Sequence, residues 1–464
     1  MNYSEAKKVL ESNGQGHVLD FWGKLGVKAR KSLLAQIATI DFKELARCRS
    51  MLPAFVCDKA EKPCAKRTVA PTAPKVAELK GKAYASSVAA GAKELAAGRV
   101  GVLLVAGGQG SRLGYEGPKG AYPIGPVTDK PLFHFHARKV LAKTLKYGKS
   151  VPFYVMTSEA NYEATVACFK ENGWFGLDRK DIFFFKQGMW PGMTEDGKII
   201  LDEPGHVFMS PDGHGGLLAA LKNSGALADM KKRGVKSVFF FQVDNPLVPV
   251  VNPLFIGMHA LENAEMSAIM LAKTNAFEKL GNFCVSNGRL EIIEYSDLPA
   301  ELAESVNPDG SLRFISGSPA IHVISRTFVE KLTASGKLNL PWHRADKKIP
   351  CIENPKPEKP NGVKLESFIF DALALAEKTL VLEGDRAEMF APTKNPTGVD
   401  SVESARAMLI ARDARRLQKA GVTVEENAQI EIDPRQVLDD DDAAVLAKKC
   451  GLTVIRSGFK MVIG

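Results

Sequence analysis

The sequence predicts an α/β fold: a central mixed, mostly parallel sheet with helices on both faces, a helical amino-terminal extension and a small carboxy-terminal domain. Three observations carry that expectation. Short β-rich apolar runs alternate with helical stretches from residue 100 to about 376. A glycine-rich segment directly follows the first strong strand. Beyond Leu382 the pattern changes to a helix, a short β stretch and a small αβ tail.

Residues 1–95 read as mainly helical. Leu33, Leu34, Ile37 and Ile40 recur at helical spacing, and Asp41 stands where the next helix needs a cap. Between Cys57 and Pro74 the chain is basic and rich in Pro and Ala, which predicts an extended surface connection. A helix over about 84–97 leads into the strand 100–105. The β-rich runs 151–156, 182–185, 237–243, 266–271 and 314–324 follow, with helical stretches near 133–145, 162–171, 216–230 and 365–376. Asn287-Gly288, flanked by 283–286 and 290–295, predicts a two-residue hairpin turn. The tail holds a helix over 402–420 and a short strand over 430–432. Domain boundaries are therefore expected at 1–95, 96–381 and 382–464.

With 464 residues the chain exceeds one ordinary domain, and 45% hydrophobic with 25% charged residues is the composition of a globular protein. No apolar run approaches a membrane span. Residues 1–10 carry Glu5, Lys7 and Lys8 with no apolar block behind them, unlike a secretory signal. Seven scattered cysteines without a CxxC pair fit reduced thiols, so a cytoplasmic location is expected. The net charge of +9 attracts anions. Lys and Arg are interleaved with Asp and Glu and no RNA-binding signature appears, which argues against nucleic acid; a small phosphorylated substrate fits the charge equally well, and charge alone does not choose.

The most informative stretch is 103–125, LLVAGGQGSRLGYEGPKGAYPIG. Glycines after a strand let the backbone approach a ligand, and their N–H groups can cradle phosphate oxygens. Arg112 and Lys119 would neutralise the polyphosphate. Two familiar motifs fail. A P-loop needs Ser or Thr after its Lys, whereas Gly120 follows Lys119. A dinucleotide fingerprint needs two residues in its second gap, whereas Gly110 and Gly114 enclose three. Asp244 follows the strand 237–243, at the end where open α/β sheets collect ligands, and a hard carboxylate there suits Mg²⁺ beside phosphates.

The glycine-rich segment resembles the signature loop of the UDP-N-acetylglucosamine pyrophosphorylases, within the wider UDP-sugar pyrophosphorylases. The resemblance continues through Gln187-Gly188-Met189, Pro211-Asp212-Gly213-His214-Gly215-Gly216, Val243-Asp244-Asn245, Glu294-Tyr295-Ser296 and Asn361-Gly362-Val363-Lys364. It includes the amino-terminal Gly16-His17-Val18-Leu19-Asp20-Phe21-Trp22 and the late Lys394-Asn395, and so spans nearly the whole chain. It implies a Rossmann-type nucleotide-sugar-transferase fold. It also implies a Mg²⁺-dependent uridylyltransferase that takes UTP and a sugar 1-phosphate and yields a UDP-sugar and pyrophosphate, with UDP-N-acetylglucosamine the expected product.

The same resemblance implies roles. Ala106, Gly107 and Gly108 would lie against the nucleoside, Gln187 and Gly213 would recognise the uracil, and Lys394 would approach the phosphates. Gly281, Glu294 and Asn245 fall in the sugar region. Two positions depart from the family: His214 and Ser318 stand where Asn is usual. A site built to hydrogen-bond one group discriminates strongly, so these changes bear on whether N-acetylglucosamine, glucose, galactose or N-acetylgalactosamine is preferred. A non-catalytic UDP-sugar sensor is the reading from another class, against which Arg112, Lys119, Asp244 and Lys394 together argue. His134 and His136 read as a helix start, and Asp439 to Asp442 as favourable charge at a helix amino end.

Overall fold

The computed structural model describes residues 1–57, 78–334 and 340–464. The connection expected after Cys57 lies outside the described residues. Contacts gather the chain into two compact units, neither of them one continuous run of sequence. The smaller comprises Met1–Lys66, Gln187–Leu217 and Leu338–Asp371; the larger comprises Arg67–Lys186, Leu218–Lys337 and Ala372–Gly464.

The larger unit holds a ten-stranded mixed sheet. Its strands are β1 (Val100–Val105), β2 (Phe153–Thr157), β3 (Ile182–Lys186), β4 (Ser237–Gln242), β5 (Met266–Ala272), β6 (Gly281–Ser286), β7 (Arg289–Ile293), β8 (Ser316–Ser318), β9 (His322–Ser325) and β10 (Thr379–Glu383). They lie in the order β7-β6-β8-β5-β9-β4-β1-β2-β3, with β10 paired to β5. β1 to β4 run parallel, as do β5 and β10. β9 is antiparallel to both β4 and β5, so only β7, β8 and β9 oppose the common direction. β1, β2 and β4 are buried along almost their whole length, as befits strands covered on both faces.

Adjacent residues of β2 reach the two covering layers. Phe153 packs on Phe169 of the helix Tyr162–Glu171. Tyr154, pointing to the opposite face, donates its hydroxyl to Asp229 of the helix Ala226–Lys232 at 2.8 Å. The helices Gly81–Ala96 and Pro253–Leu261 meet backbone to backbone, where a methyl at Gly257 would fall on the Ser87 carbonyl.

Asn287 and Gly288 both take positive φ, 50° and 73°, and close the β6–β7 hairpin as expected. Three other stretches differ from expectation. The run 314–324 splits into β8 and β9 at Ala320, whose φ of 56° interrupts an extended chain. The helix over 216–230 breaks into Leu217–Asn223 and Ala226–Lys232 at Gly225, φ 84°. Residues 365–367 end the strand Gly362–Ser367, paired antiparallel with Trp342–Lys347, and the stretch becomes helical later, as a 3-10 turn at Ile369–Asp371 and an α-helix at Ala372–Leu375. Buried Val363, Leu365 and Ser367 alternate with less buried neighbours, a period-two signal that outweighs the helical one.

After β10, the helix Val402–Lys419 and the strand Gln429–Ile432 enclose a core of their own around Leu417, Ile430, Leu446 and Ile455. This tail is tied to the helix Leu132–Tyr147 and the loop before it. Arg138 donates twice to Asp433, at 2.9 and 2.7 Å, and buried Glu431 accepts from the N–H groups of Val127 and Thr128. The acidic run opens the helix Asp440–Cys450, which Asp439 caps by accepting from the Asp442 N–H at 2.9 Å.

In the smaller unit, the helices Tyr3–Ser12, Val27–Thr39 and Phe42–Cys57 bury Leu10, Leu33, Ile37 and Leu45 against Trp190, Met193, Ile199, Val363 and Leu365. Fully buried Gln15 joins the layers, donating to the Gly197 carbonyl at 3.0 Å and accepting from the Ile199 N–H at 2.9 Å.

Candidate functional site

In the larger unit, parallel β1 and β4 are neighbours in register, Val105 opposite Gln242, so their carboxyl ends bring Ala106 and Asp244 to one edge. From Ala106 the glycine-rich chain folds back on itself. The Gly110 N–H donates to the Gly117 carbonyl at 2.9 Å and the Lys119 N–H to that of Gly108 at 3.0 Å. Gly117, φ 135°, takes a conformation a side chain would strain. Gly120 packs so closely on the Phe133 ring that no Cβ fits.

The turn is held by a residue the sequence reading does not single out. Asn161 is buried; its Nδ2 donates to the carbonyls of Ala106 at 2.9 Å and Gly108 at 3.2 Å, and its Oδ1 accepts from the Ser158 N–H at 2.8 Å. It belongs to no motif, and only the folded chain reveals its reach. Arg112 is exposed and Lys119 half-buried, and neither side chain makes a hydrogen bond or ion pair among the described residues.

The Asp244 carboxylate is likewise free of any hydrogen bond or ion pair among the described residues. Its backbone carbonyl accepts from the Thr393 N–H at 2.9 Å, which brings the Lys394 segment to the same strand end. Lys394 Nζ lies 3.7 Å from Asp400, a loose pair. Asn245, expected in the sugar region, is instead engaged with the backbone. It is buried, donates to the Met389 carbonyl at 2.8 Å and accepts from the N–H groups of Ala391 at 2.9 Å and Leu247 at 3.2 Å. Its amide positions the approach to Lys394.

Gly281 and Ser318 face each other across β6 and β8, and Glu294 Oε1 lies 3.8 Å from where a Cβ on Gly281 would stand. Three of the residues expected at the sugar are thus neighbours. Among the described residues no group of three or more His, Cys, Asp or Glu side chains is placed to hold a metal. No described helix is long and apolar enough to cross a membrane.

In the smaller unit, the Asp212 N–H donates to the Gly188 carbonyl at 3.2 Å, setting half-buried Gln187 beside the PDGHGG turn. Gly213, φ 85°, lies against the Ser367 backbone, where a Cβ would clash with the carbonyl. His214 accepts the Ile369 N–H on Nδ1 at 3.0 Å and stacks on Phe368 with centroids 5.1 Å apart, Phe370 meeting its edge at 5.4 Å. Burial, helped by His343, pushes the imidazole down to about 4, so it is neutral and carries its proton on Nε2. Asp212 sits against Gly188 and Gly216 with Oδ1 unpartnered, and burial raises its carboxyl to about 7. Nothing in the sequence alone assigns Asp212 a role, although it lies within the PDGHGG turn.

Residues 55–441 match the family described as UTP–glucose-1-phosphate uridylyltransferase. UDP-N-acetylhexosamine pyrophosphorylase-like protein 1 of Homo sapiens is 35% identical over 432 residues, covering 89% of this chain and 85% of its own length. UDP-N-acetylglucosamine pyrophosphorylase of Saccharomyces cerevisiae is 33% identical, covering 92% of this chain and 94% of its own. The crystal structure of the UDP-N-acetylglucosamine pyrophosphorylase of Trypanosoma brucei matches the fold with a TM-score of 0.81 over 97% of each chain, at 24% identity.

Proposed function

The chain belongs to the UTP–glucose-1-phosphate uridylyltransferase family, and from that premise we propose that it joins UTP to N-acetylglucosamine 1-phosphate, releasing pyrophosphate. The observation that carries this reading is the free Asp244 carboxylate beside the Lys394 segment, at the sheet edge where the glycine-rich loop begins. A phosphate oxygen of the sugar 1-phosphate attacks the α-phosphorus of UTP in line. The bond from that phosphorus to the bridging oxygen breaks, and pyrophosphate departs with the electron pair. Both reactants are anions, so catalysis is alignment and charge neutralisation rather than covalent chemistry.

Arg112 and Lys119, unpaired among the described residues, hold the triphosphate, with loop N–H groups supplying further donors. Lys394 offsets charge that builds at the α-phosphate. Ala106, Gly107 and Gly108 lie along the nucleoside, and Gln187 with Gly213 reads the uracil edge. Glu294 accepts from sugar hydroxyls near Gly281 and Ser318. The donor set fits Mg²⁺, which takes one or two carboxylates and fills its remaining positions with water and phosphate oxygens; Asp244 would hold it. When bound it supplies further charge neutralisation at the phosphates. The cysteine pattern supports a cytoplasmic setting.

A second reading keeps the chemistry and changes the sugar. His214 is tied through Nδ1 and stacked on Phe368, so it offers one donor where an amide offers donors and an acceptor. Glucose, galactose or N-acetylgalactosamine 1-phosphate would then compete. Pyrophosphate release from UTP and Mg²⁺ with a panel of sugar 1-phosphates separates the readings. Release chiefly with N-acetylglucosamine 1-phosphate supports the first, and release with another sugar the second. Silence with every sugar, while UDP-sugar still binds, would instead identify a sensor.

A further inference from the structure

A cation-lined cavity of ≈ 470 Å³ in the larger unit shares no residue with the proposed catalytic site. Lys139 and Lys143 reach it from the helix Leu132–Tyr147, and Arg412 and Arg416 from the helix Val402–Lys419. Two of the four are satisfied. Lys139 donates to the carbonyls of Pro246 and Val248 at 2.5 and 2.9 Å, and Arg412 pairs with Asp413 at 2.7 Å.

The other two are not. Lys143 is only 5% exposed, yet its ammonium makes no hydrogen bond or ion pair among the described residues. Arg416 touches Glu388 at 3.4 Å, and its Nε is buried without an acceptor among the described residues. Charges taken out of water without a partner destabilise a fold unless something completes them. Burial already holds the Lys143 ammonium down to about 8, a strain that a bound anion would relieve. The nearby acids favour the ammonium without pairing with it: Asp439 and Asp442 are each paired with Lys146 at 3.1 Å, Asp440 is paired with Lys419 at 2.8 Å, and Asp441 is exposed. Leu247, Val250 and Leu254 give the remaining wall an apolar character.

We infer that this cavity binds a phosphate dianion, free or esterified to a small apolar body, between Lys143 and Arg416. The Arg416 guanidinium lining the cavity offers directed donors to a phosphate, and the Lys143 ammonium adds a point charge from a second helix. The space is that of a small-molecule site.

The test is thermal denaturation of the full chain titrated with inorganic phosphate or phenyl phosphate at constant ionic strength and pH 7. Both anions are expected to raise the Tm of the wild type and of Lys119→Met, whose altered residue lies outside the cavity. Lys143→Met and Arg416→Gln should each need about tenfold more anion for the same shift. Phenyl phosphate acting at the lower concentration identifies an ester as the ligand, and equal action identifies free phosphate. Responses in both cavity variants equal to wild type would overturn the inference, as would loss of the response in Lys119→Met. Lys143→Met removes a buried charge with little change in volume, so it should fold at least as stably; if it does not, Arg416→Gln carries the comparison.

Discussion

Thr393 donates its backbone N–H to the carbonyl oxygen of Asp244 at 2.9 Å, so the segment bearing Lys394 hangs on the strand end that presents the free carboxylate. Asn245 secures the same approach through Met389 and Ala391. Two oppositely charged residues from distant parts of the chain are thereby brought to one strand end by a backbone hydrogen bond.

Replacing Asp244→Asn or Lys394→Ala should therefore lower kcat by about 10²–10³-fold with little change in Tm. Asp244→Asn should also weaken the dependence on Mg²⁺. Pyrophosphate release across a Mg²⁺ titration checks both, and a wild-type Mg²⁺ response in Asp244→Asn removes that residue as the metal ligand.

Asn161 donates to two loop carbonyls, which an acid of the same shape cannot do. Asn161→Asp and Asn161→Ala should each destabilise the chain by about 1–3 kcal/mol and raise the KM for UTP. If Asn161→Asp keeps a wild-type KM, the loop does not depend on this clamp.

His214→Asn restores the residue usual in the family. The ratio of kcat/KM for N-acetylglucosamine 1-phosphate over glucose 1-phosphate should change by about tenfold or more, because polar contacts dominate such discrimination. An unchanged ratio would place specificity elsewhere, with Ser318 the next position to substitute.

Acid should destabilise the fold well above carboxylate pKa values. Burial pushes His134, His214 and His259 down to about 4 and His136 to about 3, whereas histidines in an unfolded chain titrate near 6.5. The unfolded state then binds more protons, so stability is intact above about pH 6.5 and is lost as pH falls towards 4. Asp212, raised to about 7, runs the other way and gains stability over the same fall. Lys143, held at about 8, contributes no change below pH 7. The four histidines outweigh Asp212, so the unfolding free energy from urea titration should drop between pH 7 and pH 5 by an amount on the order of a few kcal/mol. His259→Gln should shrink the difference. An unfolding free energy that is flat with pH would show that these rings are not buried neutral.

Much of the larger unit was legible because its signals are local. The apolar runs that became β1, β2 and β4 lie on neighbouring strands, and Asn287-Gly288 needed only its own backbone to close a hairpin. The free charges at Arg112, Lys119 and Asp244 were readable for a similar reason, since each follows a strand or sits in a glycine turn. What escaped depends on distance in sequence. Asn161 meets carbonyls 53 and 55 residues earlier, and Asn245 looked like a pocket amide until Met389 and Ala391, 144 and 146 residues later, engaged it. The smaller unit was hidden most, because its helices and strands come from three separate segments whose apolar faces match only once assembled.

That assembly sets a timetable for synthesis. Leu10, Leu33, Ile37 and Leu45 are covered in part by Val363 and Leu365, which emerge some 300 residues later. At about 5–20 residues per second the first helices wait on the order of 15–60 s before the last of that cover is made. A nascent chain of this protein therefore carries incompletely covered apolar helix faces until residues 363–365 have emerged. Its amino-terminal fragment, released early by a premature stop, should aggregate rather than fold.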